Sequence, residues 1–171
     1  MKFLCIILIL IIICLIATIL YFVAYNKLIV IKIKMDNANE KIAEDLKQKH
    51  ELMIKLYEEI KKVVKKKDYL KDFNSLKKQK LTNYELDKEL SLHLDTMKAF
   101  KEDYKELNND TFNDILQSIK ELDQDIMASK KFFNRNNNNL IKQLKGYTKI
   151  VAKLKKINVK NSYEIKEPKK D

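Results

Sequence analysis

The sequence predicts an all-α protein in which an N-terminal transmembrane helix precedes an antiparallel bundle of about three long helices and a short C-terminal helix. The 171-residue chain begins with a long apolar run, and apolar residues then recur at spacings of three and four. It contains one glycine, Gly146, and one proline, Pro168. Because compact β folds need many turn residues, this composition argues against a sandwich or barrel.

The apolar run covers residues 3–25 and contains no charged side chain. A helix of 23 residues spans roughly 34 Å, which is enough to cross a hydrocarbon layer of about 30 Å. The alternative is a cleaved signal peptide, whose apolar region is usually about 7–15 residues and ends in small residues. Bulky residues precede Ala24 here. We therefore expect an uncleaved signal anchor over residues 1–27, with residues 3–25 in the lipid bilayer.

The charges that flank this run predict its orientation. Lys2 and the α-amino group precede it, whereas Lys27, Lys32, Lys34 and Lys41 follow it. The positive-inside rule then favours a single-pass protein of the cell membrane whose C-terminal domain is in the cytoplasm.

The first helical segment beyond the anchor is predicted from about Met35 to Lys66. No helix breaker separates it from Tyr25, so we expect one continuous helix. Lys49 takes one position of its apolar stripe, and residues 66–82 lose the stripe and are predicted as a connection. The stripe consists of Met35, Ala38, Ile42, Leu46, Met53, Leu56, Ile60 and Val63.

The second segment is predicted from about Asn83 to Leu107, with Thr82 or Asn83 as its N-cap. Its stripe residues alternate at spacings of four and three, which is typical of a coiled coil or bundle seam. They are Leu86, Leu90, His93, Met97, Phe100, Tyr104 and Leu107.

The third segment is predicted from about Thr111 to Lys145, with Asp110 or Thr111 as its N-cap, and Gly146 is expected to stop it. We expect this helix to continue through Asn136–Asn139 because the stripe keeps its register beyond them. The stripe consists of Phe112, Ile115, Ile119, Leu122, Ile126, Ser129, Phe133, Asn137, Leu140 and Leu144.

A short helix is then predicted from Thr148 to Lys156, with Ile150, Val151 and Leu154 as its apolar contacts. Residues 28–157 are thus expected to form one helical bundle domain. Residues 158–171 are predicted to be a basic, mobile tail.

No catalytic, cofactor-binding or metal-binding residue is predicted, and the chain is not expected to be an enzyme. His50 and His93 lack partners at ligand spacing, and both cysteines, Cys5 and Cys14, lie in the apolar run. A single glycine excludes a glycine-rich phosphate loop. Asp123 and Asp125 fall in an exposed helical pattern.

Four polar residues interrupt the predicted seams: Lys49, His93, Ser129 and Asn137. We interpret them as packed residues that select the register of the helices. The alternative is a polar chamber in the bundle that binds a ligand, for which Lys49, His93 and Asn137 are the candidates.

The formal net charge is +11, and residues 35–171 carry 31 basic against 24 acidic residues. Such a surface attracts anionic partners weakly and in a salt-dependent way. The basic runs at 61–62, 65–67 and 77–78 could touch anionic lipid or nucleic acid. Aromatic residues are not interleaved with them in a stacking pattern, so nucleic acid is not the favoured partner.

The order and spacing of several short motifs resemble the LemA family of bacterial membrane proteins. Prolines that are common in that family are replaced by Ile54, Lys105 and Thr148, and Lys130 replaces a common arginine, so the chain resembles a divergent member. The resemblance implies an N-terminal anchor and a bundle of long helices, and it implies no established catalytic residue. The matching residues are Tyr25-Asn26-Lys27-Leu28, Leu46 to Leu52 with Leu56, Tyr104, Leu107, Phe112, Ile126, Ala128, Phe133-Asn134, Ala152 to Leu154 and Tyr163.

These observations predict a membrane-anchored, LemA-like helical bundle that acts as a non-catalytic interaction or scaffold module for an unknown protein partner. The alternative is a membrane-anchored structural stalk or coiled-coil oligomer. The sequence leaves the oligomeric state open.

Overall fold

The computed structural model describes residues 2–64, 73, 76 and 81–165. In these residues the chain forms no strand; the elements whose bounds are described are four α-helices and one 3-10 turn, and Phe73 and Leu76 are also helical. The predicted all-α, bundle-like fold is therefore confirmed. The elements are α1 (Lys2–Val63), α2 (Asn83–Asp103), the 3-10 turn (Lys105–Leu107), α3 (Asp110–Gln143) and α4 (Tyr147–Leu154).

Helix α1 is continuous over 62 residues, so the predicted fusion of the anchor with the first bundle helix is confirmed. Its most apolar window has a mean hydropathy of 3.5, and none of that window is buried. All side chains of residues 3–20 are exposed, and burial along α1 begins at Ala24 and Leu28. The helix is therefore long and apolar enough to cross a membrane.

The chain divides into two compact units. We call Met1–Asn37 with Phe132–Ser162 the N-terminal unit, and Ala38–Lys131 with Tyr163–Asp171 the central unit. Helices α1 and α3 contribute residues to both.

The core of the central unit is built from the apolar stripes of α1, α2 and α3. Phe73 and Leu76, from the predicted connection, are helical and buried in the same core. Apart from these two residues, Leu81 and Thr82, the predicted connection lies outside the described residues. Fully buried leucine and isoleucine side chains each contribute roughly 1.5–3 kcal/mol, so this core is the main source of stability.

Two contacts give the relative directions of the helices in the central unit. Asn83, at the start of α2, donates to the backbone oxygen of Asn39 on α1 (3.1 Å). Asn39 lies 24 residues before Val63, the last residue of α1, so the connection carries the chain back along α1 by about 36 Å. His93 then contacts the Phe73 ring that His50 also contacts, so α1 and α2 run parallel. Helix α3 is antiparallel to both.

The helix boundaries follow from local capping chemistry. Thr82 caps α2 in a capping box: its hydroxyl accepts from the Glu85 N–H, and the Glu85 carboxylate accepts from the Thr82 N–H (2.8 Å). Helix α2 ends at Asp103, earlier than predicted, because Tyr104 is extended. For α3 the predicted N-cap was wrong: Asn109 accepts from the Phe112 N–H (2.9 Å), and Asp110 is already helical.

In the N-terminal unit, α3 runs without interruption through Asn136–Asn139, as predicted, and ends at Gln143. Gly146 has φ +52° and ψ −130°, a conformation that residues with a Cβ rarely adopt, so glycine is needed to leave α3 and enter α4.

Helix α4 is rotated relative to the sequence prediction. Val151 is buried as expected, but Ile150 and Leu154 are exposed and Ala152 is buried instead. Thr148 lies on the buried face of α4, and its hydroxyl donates to the Lys145 carbonyl (2.6 Å) just beyond the end of α3.

Candidate functional site

The central unit contains an ion pair between α1 and α3. Lys49 is 1% exposed, and its Nζ lies 2.6 Å from Oδ1 of Asp123, whose side chain is 41% exposed. The predicted seam position of Lys49 is confirmed by its burial. The interpretation of Asp123 as a purely solvated residue was wrong, because Asp123 is the counter-ion of a buried ammonium group.

A second charge is buried one turn earlier on α1. The Asp45 carboxylate is fully buried, and Lys41 Nζ lies 2.8 Å from its Oδ1. This contact raises the pKa of Lys41, which keeps that ammonium group charged. Asp45 also precedes Lys49 by four residues on the same helix face, where opposite charges attract each other.

A third ion pair joins α2 to α3. Lys130 Nζ lies 2.6 Å from Oδ2 of Asp87, and both side chains are largely buried. Ser129, the predicted seam residue, is only half-buried, and the buried polar position is Lys130. The long lysine side chain can bury its methylene groups along the seam while its ammonium group reaches the carboxylate.

The histidines lie against an aromatic ring. Phe73 is fully buried and makes edge contacts with His50 and His93, with ring centroids 5.2 and 5.3 Å apart. His93 is half-buried, and Leu94 takes the adjacent core position instead. Edge-to-face packing stabilises such rings without any need for a ligand.

Asn137 holds the segment that follows α4. It is buried, its Oδ1 accepts from the Lys160 N–H (3.1 Å), and its Nδ2 donates to the Lys160 carbonyl (2.6 Å). Lys160 Nζ lies 2.8 Å from Oδ1 of Asp36, and Lys32 Nζ lies 2.7 Å from Oδ2 of that carboxylate. Partial burial acts to raise the pKa of Asp36, but the hydrogen bonds from Lys160 and Lys32 outweigh it and lower the pKa.

The described residues of the predicted tail from Asn158 make several hydrogen bonds to the rest of the chain. Besides the contacts of Lys160, Ser162 accepts a hydrogen bond from Asn137 (3.3 Å). The Tyr163 hydroxyl donates to Asn39 Oδ1, and burial raises the pKa of Tyr163. Residues 166–171 of the predicted tail lie outside the described residues.

A polar chamber was considered for Lys49, His93 and Asn137, of which Lys49 and His93 belong to the central unit and Asn137 to the N-terminal unit. Each of the three residues has its own protein partner. Within the described part of the chain, no group of three or more histidine, cysteine or acidic side chains is placed to hold a metal ion.

Sequence reasoning missed the counter-ions, namely Asp45, Asp87 and Asp123. Asp45 offered a signal, because it lies on the α1 stripe three residues after Ile42 and four before Lys49. Asp87 and Asp123 offered none, since their partners are 43 and 74 residues away.

The central unit also has an open surface cleft of about 620 Å³ near the end of α2. Three lysines, Lys98, Lys101 and Lys105, line it and give it a positive potential. We call it the lysine cleft; Glu102, Asn108 and Leu116 complete its lining.

Comparison of the chain with protein-family models, with curated proteins and with solved structures finds no match.

Proposed function

We propose that this protein is a single-pass, membrane-anchored helical bundle that acts as a non-catalytic interaction or scaffold module. The observation that carries the proposal is the form of α1. Its first part is apolar and exposed, and the same helix continues into the buried core of the bundle. A bilayer would cover the exposed side chains, and the continuous helix would tether the bundle to the membrane.

The state of the polar groups supports a non-catalytic role. The buried lysines Lys49 and Lys130 each contact a carboxylate of the same unit, and Asn137 is engaged by the backbone of Lys160. Groups that are committed to internal contacts stabilise a unique packing and are not available to a substrate.

The lysine cleft is the partner surface that we propose. Its three lysines suit an acidic segment of another protein, and the anchor would raise the effective concentration of the bundle for partners in the same membrane.

Crosslinking in native membranes tests this function. We expect replacement of the cleft lysines 98, 101 and 105 by Glu to abolish a specific crosslinked protein. A control with Lys47, Lys120 and Lys131 replaced by Glu should retain it, because these exposed lysines lie outside the cleft and the net charge changes equally. Equal capture by both variants would contradict the proposed surface.

We further propose that the membrane is the cell membrane of a bacterium and that the bundle faces the cytoplasm. Both native cysteines lie in the exposed apolar part of α1, so a cysteine introduced at the exposed residue Gln124, outside the lysine cleft, is the accessible thiol of the bundle. A membrane-impermeant maleimide should label Gln124→Cys only after the cells are broken. Labelling of intact cells would show instead that the bundle faces away from the cytoplasm.

Membership in the LemA family is also a proposal. Its support is the set of matching residues together with an all-α fold in which the apolar N-terminal segment and the first bundle helix are one helix. Homologous sequences intermediate between this chain and LemA proteins would test it. They should preserve the Tyr25-Asn26-Lys27-Leu28 motif directly after the apolar run.

The stalk remains a second candidate because α1 is 62 residues long. The stalk hypothesis predicts a dimer in which α1 pairs along its length with α1 of a second copy. The mass of the detergent-solubilised protein distinguishes a stalk from an interaction module. A monomer excludes the stalk, whereas a dimer whose association is lost when α1 is altered favours it.

A further inference from the structure

The N-terminal unit carries the entire net charge of the protein. Its residues, 1–37 and 132–162, include 12 basic side chains and one acidic side chain, Asp36. The rest of the chain carries 23 of each sign. The +11 charge is thus concentrated in the unit that contains the apolar part of α1.

Helix α4 displays a second apolar stripe that the fold does not cover. Thr148, Val151 and Ala152 face inward. Tyr147, Ile150 and Leu154 are exposed, Ile150 and Leu154 by 64% and 68%, and their spacing of three and four places them on one face. We call these three residues the α4 stripe. Lys149 and Lys153 lie beside it on the helix surface.

Two contacts place α4 beside the C-terminal end of the apolar run. Lys155, directly after α4, has its Nζ 5.4 Å from the ring centroid of Tyr25, the last residue of that run. Lys160 contacts Asp36, which is 11 residues further along α1, or about 16 Å. The chain after α4 therefore runs away from the apolar run, and α4 itself lies beside the point where α1 would leave the bilayer.

We propose that α4 is an interfacial helix that inserts the α4 stripe into an anionic lipid surface while its lysines contact the lipid headgroups. An exposed apolar stripe flanked by lysines is the arrangement by which helices lie in the membrane–water boundary. The inference rests on the proposed anchorage of α1, because the anchor brings α4 to the bilayer. It adds a second membrane contact, which orients the N-terminal unit relative to the lipid surface.

Tryptophan fluorescence of the full-length protein tests this contact. The chain contains no tryptophan, so a single introduced one reports only its own position. The variants are Ile150→Trp for the α4 stripe, Phe22→Trp for the anchor, and Leu92→Trp as a control. Leu92 is as exposed as Ile150, at 62%, but belongs to the electroneutral central unit. Each variant is reconstituted into phosphatidylcholine vesicles with or without phosphatidylglycerol, containing lipids brominated in their acyl chains.

We expect bromine to quench Phe22→Trp in all vesicles, Ile150→Trp most strongly when phosphatidylglycerol is present, and Leu92→Trp in none. A lysine near an anionic surface favours docking by roughly fivefold. Replacing Lys149 and Lys153 by Gln should therefore weaken docking by about 25-fold and remove most of the dependence on phosphatidylglycerol. Leu154→Trp repeats the measurement at a second exposed position.

Quenching of Phe22→Trp without quenching at positions 150 and 154 would overturn the interfacial helix and leave the anchor intact. A blue-shifted but unquenched Ile150→Trp would also overturn it, because a protein or a second copy of this chain would then cover the stripe. Absence of quenching at Phe22→Trp would refute the anchorage and, with it, this inference.

Discussion

Replacing Asp123 by Ala is expected to destabilise the central unit by about 2 kcal/mol. Removing one partner of a buried ion pair typically costs about 3–5 kcal/mol, because the other charge stays buried without compensation. Two features lower the expected cost for this pair to below that range. Asp123 is 41% exposed, so water already screens it, and Asp45 leaves a negative charge one turn from Lys49.

Urea unfolding of the full-length protein in mild detergent, followed by circular dichroism at 222 nm, measures this difference. In a thermal scan it corresponds to about 4–8 °C. Asp125→Asn is the matched control, since it removes an exposed negative charge two residues away on α3 and should change stability by less than about 0.5 kcal/mol.

The double variant Lys49→Met, Asp123→Ala sharpens the test. Methionine keeps most of the buried lysine volume without the charge, so stability should return to within about 1 kcal/mol of the unmodified protein. The reasoning is refuted if Asp123→Ala is as stable as Asp125→Asn, or if the double variant is no more stable than Asp123→Ala.

Three further predictions concern the segment after α4, the α2 cap and the Asp36 cluster. Asn137→Ala should release Lys160 and speed tryptic cleavage after it by about tenfold or more, whereas Asn138→Ala, at an exposed position of the same helix, should leave the rate unchanged. Thr82→Ala removes the capping box and should lower the free energy of unfolding by about 1 kcal/mol; a loss no larger than that of Thr96→Ala would contradict the cap. Because the pKa of Asp36 is lowered on folding, its stabilisation is complete above its unfolded pKa of about 3.9 and is lost as the pH falls through the lowered folded value. The stability difference between the unmodified protein and Asp36→Asn should therefore vanish in strong acid, and a pH-independent difference would refute the role of its charge.

The proposed anchor and the proposed interfacial helix depend on different features of the N-terminal unit. The anchor depends on the length and composition of residues 3–25, which any single polar substitution changes little. The α4 contact depends on the rotation of one short helix, whose buried face carries the hydrogen-bonded Thr148 hydroxyl. A Thr148→Val variant, which keeps the size of the side chain but removes the hydroxyl, would show whether the α4 stripe remains exposed.

The sequence by itself determined the all-α class, the continuous first helix and most helix positions, because these depend on local periodicity, on an uninterrupted apolar run and on the scarcity of turn residues. It also identified Lys49 as a seam residue. Tertiary structure alone decided which carboxylates neutralise the buried lysines, because Asp123 and Asp87 meet their partners only after the helices have packed. It alone decided the rotation of α4, which buries Thr148, Val151 and Ala152 and leaves Ile150 and Leu154 exposed. Only the tertiary structure shows that Lys160 binds Asn137 and that Tyr163 binds Asn39, because the partners are remote from each other in the chain. Contacts between residues distant in sequence leave no mark on local spacing, which is why only the folded chain reveals them.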